Sequence, residues 1–357
     1  MNNDRHSFTG ENNTKLWGLS PDERTRRIAA KHEDANGPLA AGHHIEVDRR
    51  FAFDPLWYRY IAERPGAALT LDGEVVLAHR GAPERRMAFE SGLSIYNHEL
   101  RKQERPFVDH LTPDTVRSLE RASYFAAYKG VTDVLTKYLW PEWALILTRG
   151  AARIGMTPNM VTAVGAALCV ATFFLWMRGW YWTGMATALA FMVLDTVDGK
   201  LARCTITSSW WGNIFDHGID LVHPPFWWWA WGAGLGAAGF AMAPALFWGL
   251  IAALVTGYVL QRLIEGWFIH GVGMHIHVWE RFDTQFRLIT ARRNPNMVIL
   301  FASLLVARPD VGLWGITIWT GISLVVHFVR LCQAVARKRR GETLTSWLVG
   351  DGKEHSV

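Results

Sequence analysis

Cysteine is scarce. The chain has three, Cys169, Cys204 and Cys332. They are widely spaced and form no metal-ligand pattern, which speaks against a disulfide framework and a cysteine-based zinc site. The first 30 residues carry no apolar run, so no cleavable signal peptide is expected there. Elsewhere it is charge that is missing. No Asp, Glu, Lys or Arg occurs from Ile154 to Met177, from Gly179 to Leu194, or over the 41 residues from Leu221 to Gln261. Shorter charge-free runs extend from Asn294 to Ala307 and from Val311 to Val329. A transmembrane helix needs about 20 mostly apolar residues, so these gaps point to a membrane domain rather than one soluble globule.

The charge that is present has a pattern. Residues 1–153 of the 357 are dense in it. The net charge is +5. Nucleic-acid binding is one reading of a basic chain, but the basic residues gather where a membrane protein places them. Arg281, Arg287, Arg292 and Arg293 fall in the 269–295 segment, and Arg330, Arg337, Lys338, Arg339 and Arg340 at the last apolar run, whereas the opposite loops hold only Arg178 and Arg308. Lys and Arg favour the cytosolic side, so both termini and the 200–212 connection are expected to face the cytosol.

Six helices are expected, at about 159–178, 181–200, 212–238, 243–268, 295–308 and 311–334. The fold class is therefore an all-α membrane domain of six transmembrane helices, preceded by a small soluble α/β segment. The expected divisions are a soluble segment at 1–135, an amphipathic juxtamembrane helix at 136–156, the six-helix domain at 157–340 and a cytosolic tail at 341–357. Within the soluble segment, Leu69–Ala78 reads as a hairpin turning at Asp72-Gly73. Ser20 caps a helix that opens at Pro21, and 113–129 is helix-like. Trp180, Tyr181 and Trp182 suit a membrane interface; Trp227, Trp228, Trp229 and Trp231 are either anchors or core. Pro158-Asn-Met-Val161 recurs as Pro295-Asn-Met-Val298, which reads as a reused helix opener rather than a duplication.

The informative stretch is Asp195-x-x-Asp198-Gly199-x-x-Ala202-Arg203, then eight residues, then Gly212-x3-Asp216-x3-Asp220. Residues three and four apart share a helix face. Two neighbouring helices thus offer four carboxylates to one point at the cytosolic edge of the membrane. Charges at membrane depth are expensive and need partners. Hard oxygen ligands suit Mg²⁺ or Mn²⁺, and two such ions can grip a diphosphate. Gly199 and Ala202 would let a nucleotide approach the backbone, and Arg203 offers a planar fork to phosphate. At ordinary residue usage the eight positions would recur by chance about once in 10⁹ starts.

This pattern matches, position for position, the signature of the CDP-alcohol phosphatidyltransferase family, and the opening Thr157-Pro-Asn-Met-Val-Thr162 resembles the family as well. The resemblance covers roughly residues 138–340. It implies a six-helix, usually homodimeric membrane enzyme with a cytosol-facing site that moves a phospho-alcohol group from a CDP-alcohol to a hydroxyl. Carried over, Asp195, Asp198 and Asp216 would hold the metals, and Asp220 would touch a metal and act as general base. Gly199, Ala202, Arg203 and Gly212 would line the CDP site. The expected cofactors are two divalent cations, Mg or Mn. The expected partners are a CDP-alcohol donor, a polar alcohol or lipid acceptor, and membrane lipids, with no nucleic acid.

Residues 44–78 faintly resemble the later part of a sugar-phosphate nucleotidyltransferase, and Lys129-Gly-Val-Thr-Asp133 the linker of enzymes fusing such a domain to an inositol-phosphate-using transferase. No Gly-rich phosphate loop precedes Asp48, so the segment is read as a catalytic relic. This likeness favours an alternative, a CDP-inositol-type donor with a phosphorylated or lipid acceptor. A non-catalytic transporter or scaffold is the rival. Near the acids, His217 and His223 are read as structural, and Pro224-Pro225 as a kink or a shaper of the pocket. Arg262 and Glu265 either serve a site or pair with each other, Arg292 and Arg293 anchor the chain or bind an acceptor phosphate, and His275 and His277 are expected as exposed loop residues.

Overall fold

The computed structural model describes residues 5–81, 87–90, 92–97, 100–208 and 210–349, with the side chains of residues 87, 90, 210, 211 and 213–217 outside that description. The N-terminal strands are β1 (His6–Thr9), β2 (His44–Asp48), β3 (Phe51–Phe53), β4 (Ala67–Leu71), β5 (Glu74–Arg80), β6 (Met87–Glu90), β7 (Ile95–Asn97), β8 (Lys102–Glu104) and β9 (Val108–His110). Helices α1 (Pro21–Asn36), α2 (Pro55–Ala62) and α3 (Val116–Ala126) accompany them. Five strands form one sheet in the order β1-β2-β5-β4-β6, mixed in direction, with β3-β9 and β7-β8 as separate pairs. The expected hairpin joins β4 to β5 through Asp72 (φ 51°) and Gly73 (φ 81°), the left-handed pair that a two-residue turn demands. Ser20 caps α1, its hydroxyl accepting from the Glu23 N–H at 3.2 Å. Trp57, Ile45, Leu69, Leu77 and Ile61 fill the core beneath the sheet.

The helical part comprises α4 (Pro141–Arg153), α5 (Pro158–Met177), α6 (Tyr181–Cys204), α7 (Trp210–Ala233), α8 (Pro244–Val272), α9 (Arg281–Arg287), α10 (Arg293–Leu305) and α11 (Pro309–Arg339). A five-residue π-helical turn, Leu135–Leu139, precedes α4. The apolar runs therefore become helices within a few residues of where they are expected. Among the described residues, α5, α8 and α11 are long and apolar enough to cross a membrane by themselves. At 13 residues α10 is about 20 Å long, short of a hydrocarbon core of about 30 Å. On α4, Trp143, Ile146 and Leu147 are exposed opposite the buried Ala144 and Leu145, a two-faced helix suited to lying on a membrane.

α5 packs along α6 and against α7, and α11 packs along α8 and α10. Gly257 allows one close approach, since a β-carbon there would stand 2.8 Å from Thr320 Cγ2. Trp227, Trp228 and Trp231 are buried with Trp176 and Tyr181, so that cluster is core, while Trp180 and Trp182 stay exposed. The two parts share a seam. Leu16, Trp17, Leu119 and Tyr124 pack in one cluster with Leu145, Val161, Val197 and Leu201. Ile206, just past α6, lies in the core of the N-terminal sheet, and Arg27 of α1 donates to the Thr205 carbonyl at 2.9 Å.

Candidate active site

α6 and α7 bring their acids to the seam. Asp195 and Asp220 meet on one guanidinium. Arg293, the first residue of α10, donates through Nη2 to Asp195 Oδ2 and through Nη1 to Asp220 Oδ1, each at 2.6 Å. Asp195 is largely buried, while the Asp220 side chain is 43% exposed and open to a cavity. Asp198, one turn on from Asp195, is turned toward α5, where Thr162 donates to its Oδ2 at 2.6 Å. The third carboxylate of the motif, Asp216, sits on α7, but its side chain lies outside the described residues, as does that of His217.

Arg293 is itself held. Its Nε donates to Asn294 Oδ1 at 3.0 Å, and Asn294 Nδ2 donates to Asp133 Oδ1 at 3.0 Å. Asp133 also receives Thr136 Oγ1 at 2.9 Å. Burial pushes the Asp133 carboxyl up, but Arg287, the Thr136 groups and Asn294 outweigh it and hold it below the usual range. From the sequence Arg293 reads as an anchor or a phosphate binder; the fold makes it the cation between Asp195 and Asp220. An Arg-Arg pair before an apolar run gives no sign of this, since the contacts cross 73 and 98 residues.

Asp195 and Asp220 line a cavity of about 390 Å³, together with Gly199, Lys200 and Arg203. A β-carbon at Gly199 would lie 3.3 Å from Arg203 Nη2 and crowd it. Ala202 and Gly212 are half-buried on α6 and α7. Lys200 points away from the acids, donating to the Ala127 carbonyl at 2.7 Å and lying 3.2 Å from the Tyr128 ring centroid. His223 is buried, bonded to the Ile219 carbonyl at 2.6 Å and packed on Phe191 and Trp227, the structural role expected. Pro224 lines the cavity from inside α7.

The far end of the cavity is basic: Arg101, Lys129, Arg262, Arg287 and Arg292 line it. Their hub is Glu265. Arg292 pairs with its Oε2, Arg262 Nη2 lies 2.7 Å from Oε1, and His277 Nε2 lies 3.2 Å from Oε1. One carboxylate cannot satisfy this many donors. Arg262 Nε and Nη2, Arg287 Nη1 and Arg292 Nε are buried with no hydrogen-bond partner, Nη2 of Arg262 being close to Glu265 but misaligned. His277 is buried, against expectation, because its turn folds under α8 and α11; burial holds its imidazole well below the usual value. His275 is exposed as expected. With His327, Glu265 and His277 bring three ligand atoms within 4.8 Å of one another, enough to hold a metal ion. The adjoining guanidinium groups make it an ion-pair hub.

The acid end has the donor set for hard divalent cations: carboxylates only, on two helices, with a positive group now lying between two of them. Residues 155–329 match the family model described as CDP-alcohol phosphatidyltransferase. Human cholinephosphotransferase 1 is 31% identical over 133 residues, covering 34% of this chain and 32% of the relative. The zebrafish cholinephosphotransferase 1 is 30% identical over 119 residues, covering 31% of each. An uncharacterized class-I CDP-alcohol phosphatidyltransferase family protein of Schizosaccharomyces pombe is 30% identical over 107 residues, covering 26% of this chain and 28% of that protein. The chain thus spans about a third of the length of the curated relatives it matches. The family match begins at residue 155 and gives the nucleotidyltransferase likeness of residues 44–78 no support.

Proposed function

We propose that this protein transfers a phospho-alcohol group from a CDP-alcohol to an acceptor hydroxyl, releasing CMP, in polar-lipid synthesis. The observation that carries the reading is Asp195 and Asp220 converging at the acid end of a cavity whose other end presents buried, unpartnered guanidinium N–H groups. Asp195, Asp198, Asp216 and Asp220 hold two divalent cations, Mg or Mn. When bound, these neutralise the donor diphosphate and the charge that develops as it splits. Gly199 and Ala202 give the CDP group access to the backbone of α6, and Arg203 and Gly212 complete its site. Asp220, the more exposed carboxylate, takes the proton of the acceptor hydroxyl. The acceptor oxygen bonds to the phosphorus distal to cytidine; the bond from that phosphorus to the bridging oxygen breaks, and the oxygen leaves with CMP.

The basic end favours one version of this reading. Arg262, Arg287 and Arg292 hold more donors than Glu265 can accept, and a guanidinium fork matches a phosphate dianion. The acceptor is accordingly a phosphorylated alcohol. The proposal extends to six membrane-embedded helices, a cytosol-facing site and a homodimer. Support for the orientation comes from the basic 269–295 segment and the basic end of α11.

The test is CMP release by detergent-purified protein. CDP-diacylglycerol and CDP-inositol are offered separately with phosphorylated and unphosphorylated polyols, with and without Mg²⁺ or Mn²⁺, beside Asp220→Asn. Metal-dependent release that the variant loses is expected, and the productive donor identifies the version. No release from folded protein with any CDP-alcohol would leave the scaffold reading standing.

A further inference from the structure

A second cavity, of about 360 Å³, lies in the seam between the N-terminal module and the cytosolic end of α6. It is lined by α1, α2 and α3 and by Arg203, Cys204 and Ile206. Arg24 lines it from α1. That side chain is 6% exposed, its Nε has no partner, and among the described residues it forms no ion pair. Its guanidinium lies over the Phe53 ring, 5.6 Å from the centroid. Burial pulls the Arg24 guanidinium down to about 10, a mark of a cation short of an anion.

The acids nearby do not satisfy it. Glu104 is taken by Lys102 Nζ at 2.6 Å and Asn97 Nδ2 at 2.8 Å. Asp54 spends Oδ1 on the Leu56 N–H, 2.9 Å away, as the cap of α2. Arg59, at the rim, is bonded to Glu63 at 3.2 Å. Arg203 lines this cavity as well as the catalytic one, and its Nε is also buried without a partner. Leaving buried guanidinium donors unpaired costs free energy that a bound anion would recover. Two such cations match a dianion better than a carboxylate. The remaining wall is mixed, with Ile28, Leu100 and Phe107 beside Lys31, His32 and Ser123, and the volume leaves room for more than a bare phosphate.

We propose that this second cavity binds a small organic phosphomonoester through Arg24 and Arg203, and that its occupant thereby reaches the catalytic cavity through Arg203. The binding half stands apart from the transferase reading; the coupling half rests on it.

The probe is radiolabelled glycerol 3-phosphate in equilibrium dialysis with full-length protein in detergent. Arg292→Gln serves as the background, so that the catalytic basic end contributes least. One saturable site is expected in that protein. Adding Arg24→Gln, or Ala35→Trp, which fills the cavity from an exposed position on α1, should weaken it at least tenfold. Ala35→Trp disturbs no buried partner and controls for any folding defect in the arginine variant. Binding unchanged by Ala35→Trp, or no saturable site, overturns the proposal. Inorganic phosphate should compete at least tenfold more weakly; equal competition overturns the organic half. In otherwise wild-type protein, saturating glycerol 3-phosphate should shift the donor KM at least threefold, and in Ala35→Trp leave it unmoved. A KM unmoved in both overturns the coupling. Absence of CMP release under every condition sinks the transferase reading and leaves the dialysis result to decide the site.

Discussion

At one end of the cavity lined by Asp195 and Asp220 a single arginine sits between two carboxylates; at the other a single glutamate is ringed by arginines. Arg293 donates to Asp195 and Asp220, while Glu265 receives Arg292 and faces Arg262 and His277. Each end buries charge at a cost that pairing only partly offsets. The surplus has opposite sign. The acid end keeps carboxylates beyond what one guanidinium neutralises, which suits added cations. The basic end keeps guanidinium donors beyond what one carboxylate accepts, which suits an added anion. On the proposed function, a cavity built this way would separate two tasks, stabilising the group that moves and choosing the molecule that receives it.

That division can be broken first at the acid end. Asp195→Asn or Asp220→Asn should lower the rate of CMP release at least about 100-fold, the scale of losing one preorganised transition-state contact. Chelating divalent ions should do the same to wild type. Initial-rate assays check both.

The next effect belongs to the basic end. Arg292→Gln removes one charged partner of Glu265. It should raise KM for a phosphorylated acceptor roughly 10- to 100-fold, since charge-assisted hydrogen bonds are worth about 1.5–3 kcal/mol. Donor KM should stay within about twofold, because the fork on the acids is Arg293. Substrate-by-substrate kinetics separates these.

A smaller change returns to the acids. Thr162→Val deletes the 2.6 Å hydrogen bond to Asp198 and leaves the carboxylate less fixed. A loss of about fivefold in kcat/KM is expected, from a hydrogen bond worth about 1 kcal/mol. The apparent affinity for Mg²⁺, read from the metal dependence of the rate, should weaken with it.

The smallest effect on activity, and a stability effect instead, is expected in the N-terminal module. Burial, then the nearby Glu104, raises Asp54 to about 6. A carboxyl raised above its unfolded value contributes stability that is complete below the unfolded pKa, near 4, and is lost as pH rises through about 6. Asp54→Asn keeps a cap-competent side chain and removes the ionisation. Its melting curves should lose the pH dependence between 4 and 6 that wild type shows, and at pH 7 the variant should be the more stable, by on the order of 2 kcal/mol.

Much of this layout was legible from residues alone, for local reasons. Apolar runs bounded by Pro158, Pro244 and Pro309 announce helices that the fold forms, because proline at a first turn and a charge-free run act over a few residues. The Asp72-Gly73 turn and the Ser20 cap are equally local. The acid face was legible because Asp195 and Asp198 share a turn of α6, although Asp198 faces Thr162 rather than the cavity. What was not legible depends on pairing across the chain. Arg293 joins the acids only because α10 starts beside α6 and α7. His277 is buried only because the loop after α8 folds against α11. Asp133, in the linker before α4, lines the cavity and holds Asn294 only because that linker folds against the start of α10.

The most direct test of the two-ended cavity is acceptor discrimination. CMP release would be measured with a polyol and its phosphomonoester, in wild type and in Arg292→Gln, at saturating Mg²⁺ and donor. The account predicts that wild type prefers the phosphorylated acceptor by at least tenfold in kcat/KM. It also predicts that the variant loses this preference while keeping wild-type turnover of the unphosphorylated polyol. An equal loss of rate with both acceptors, or a wild type indifferent to the phosphate, would contradict it.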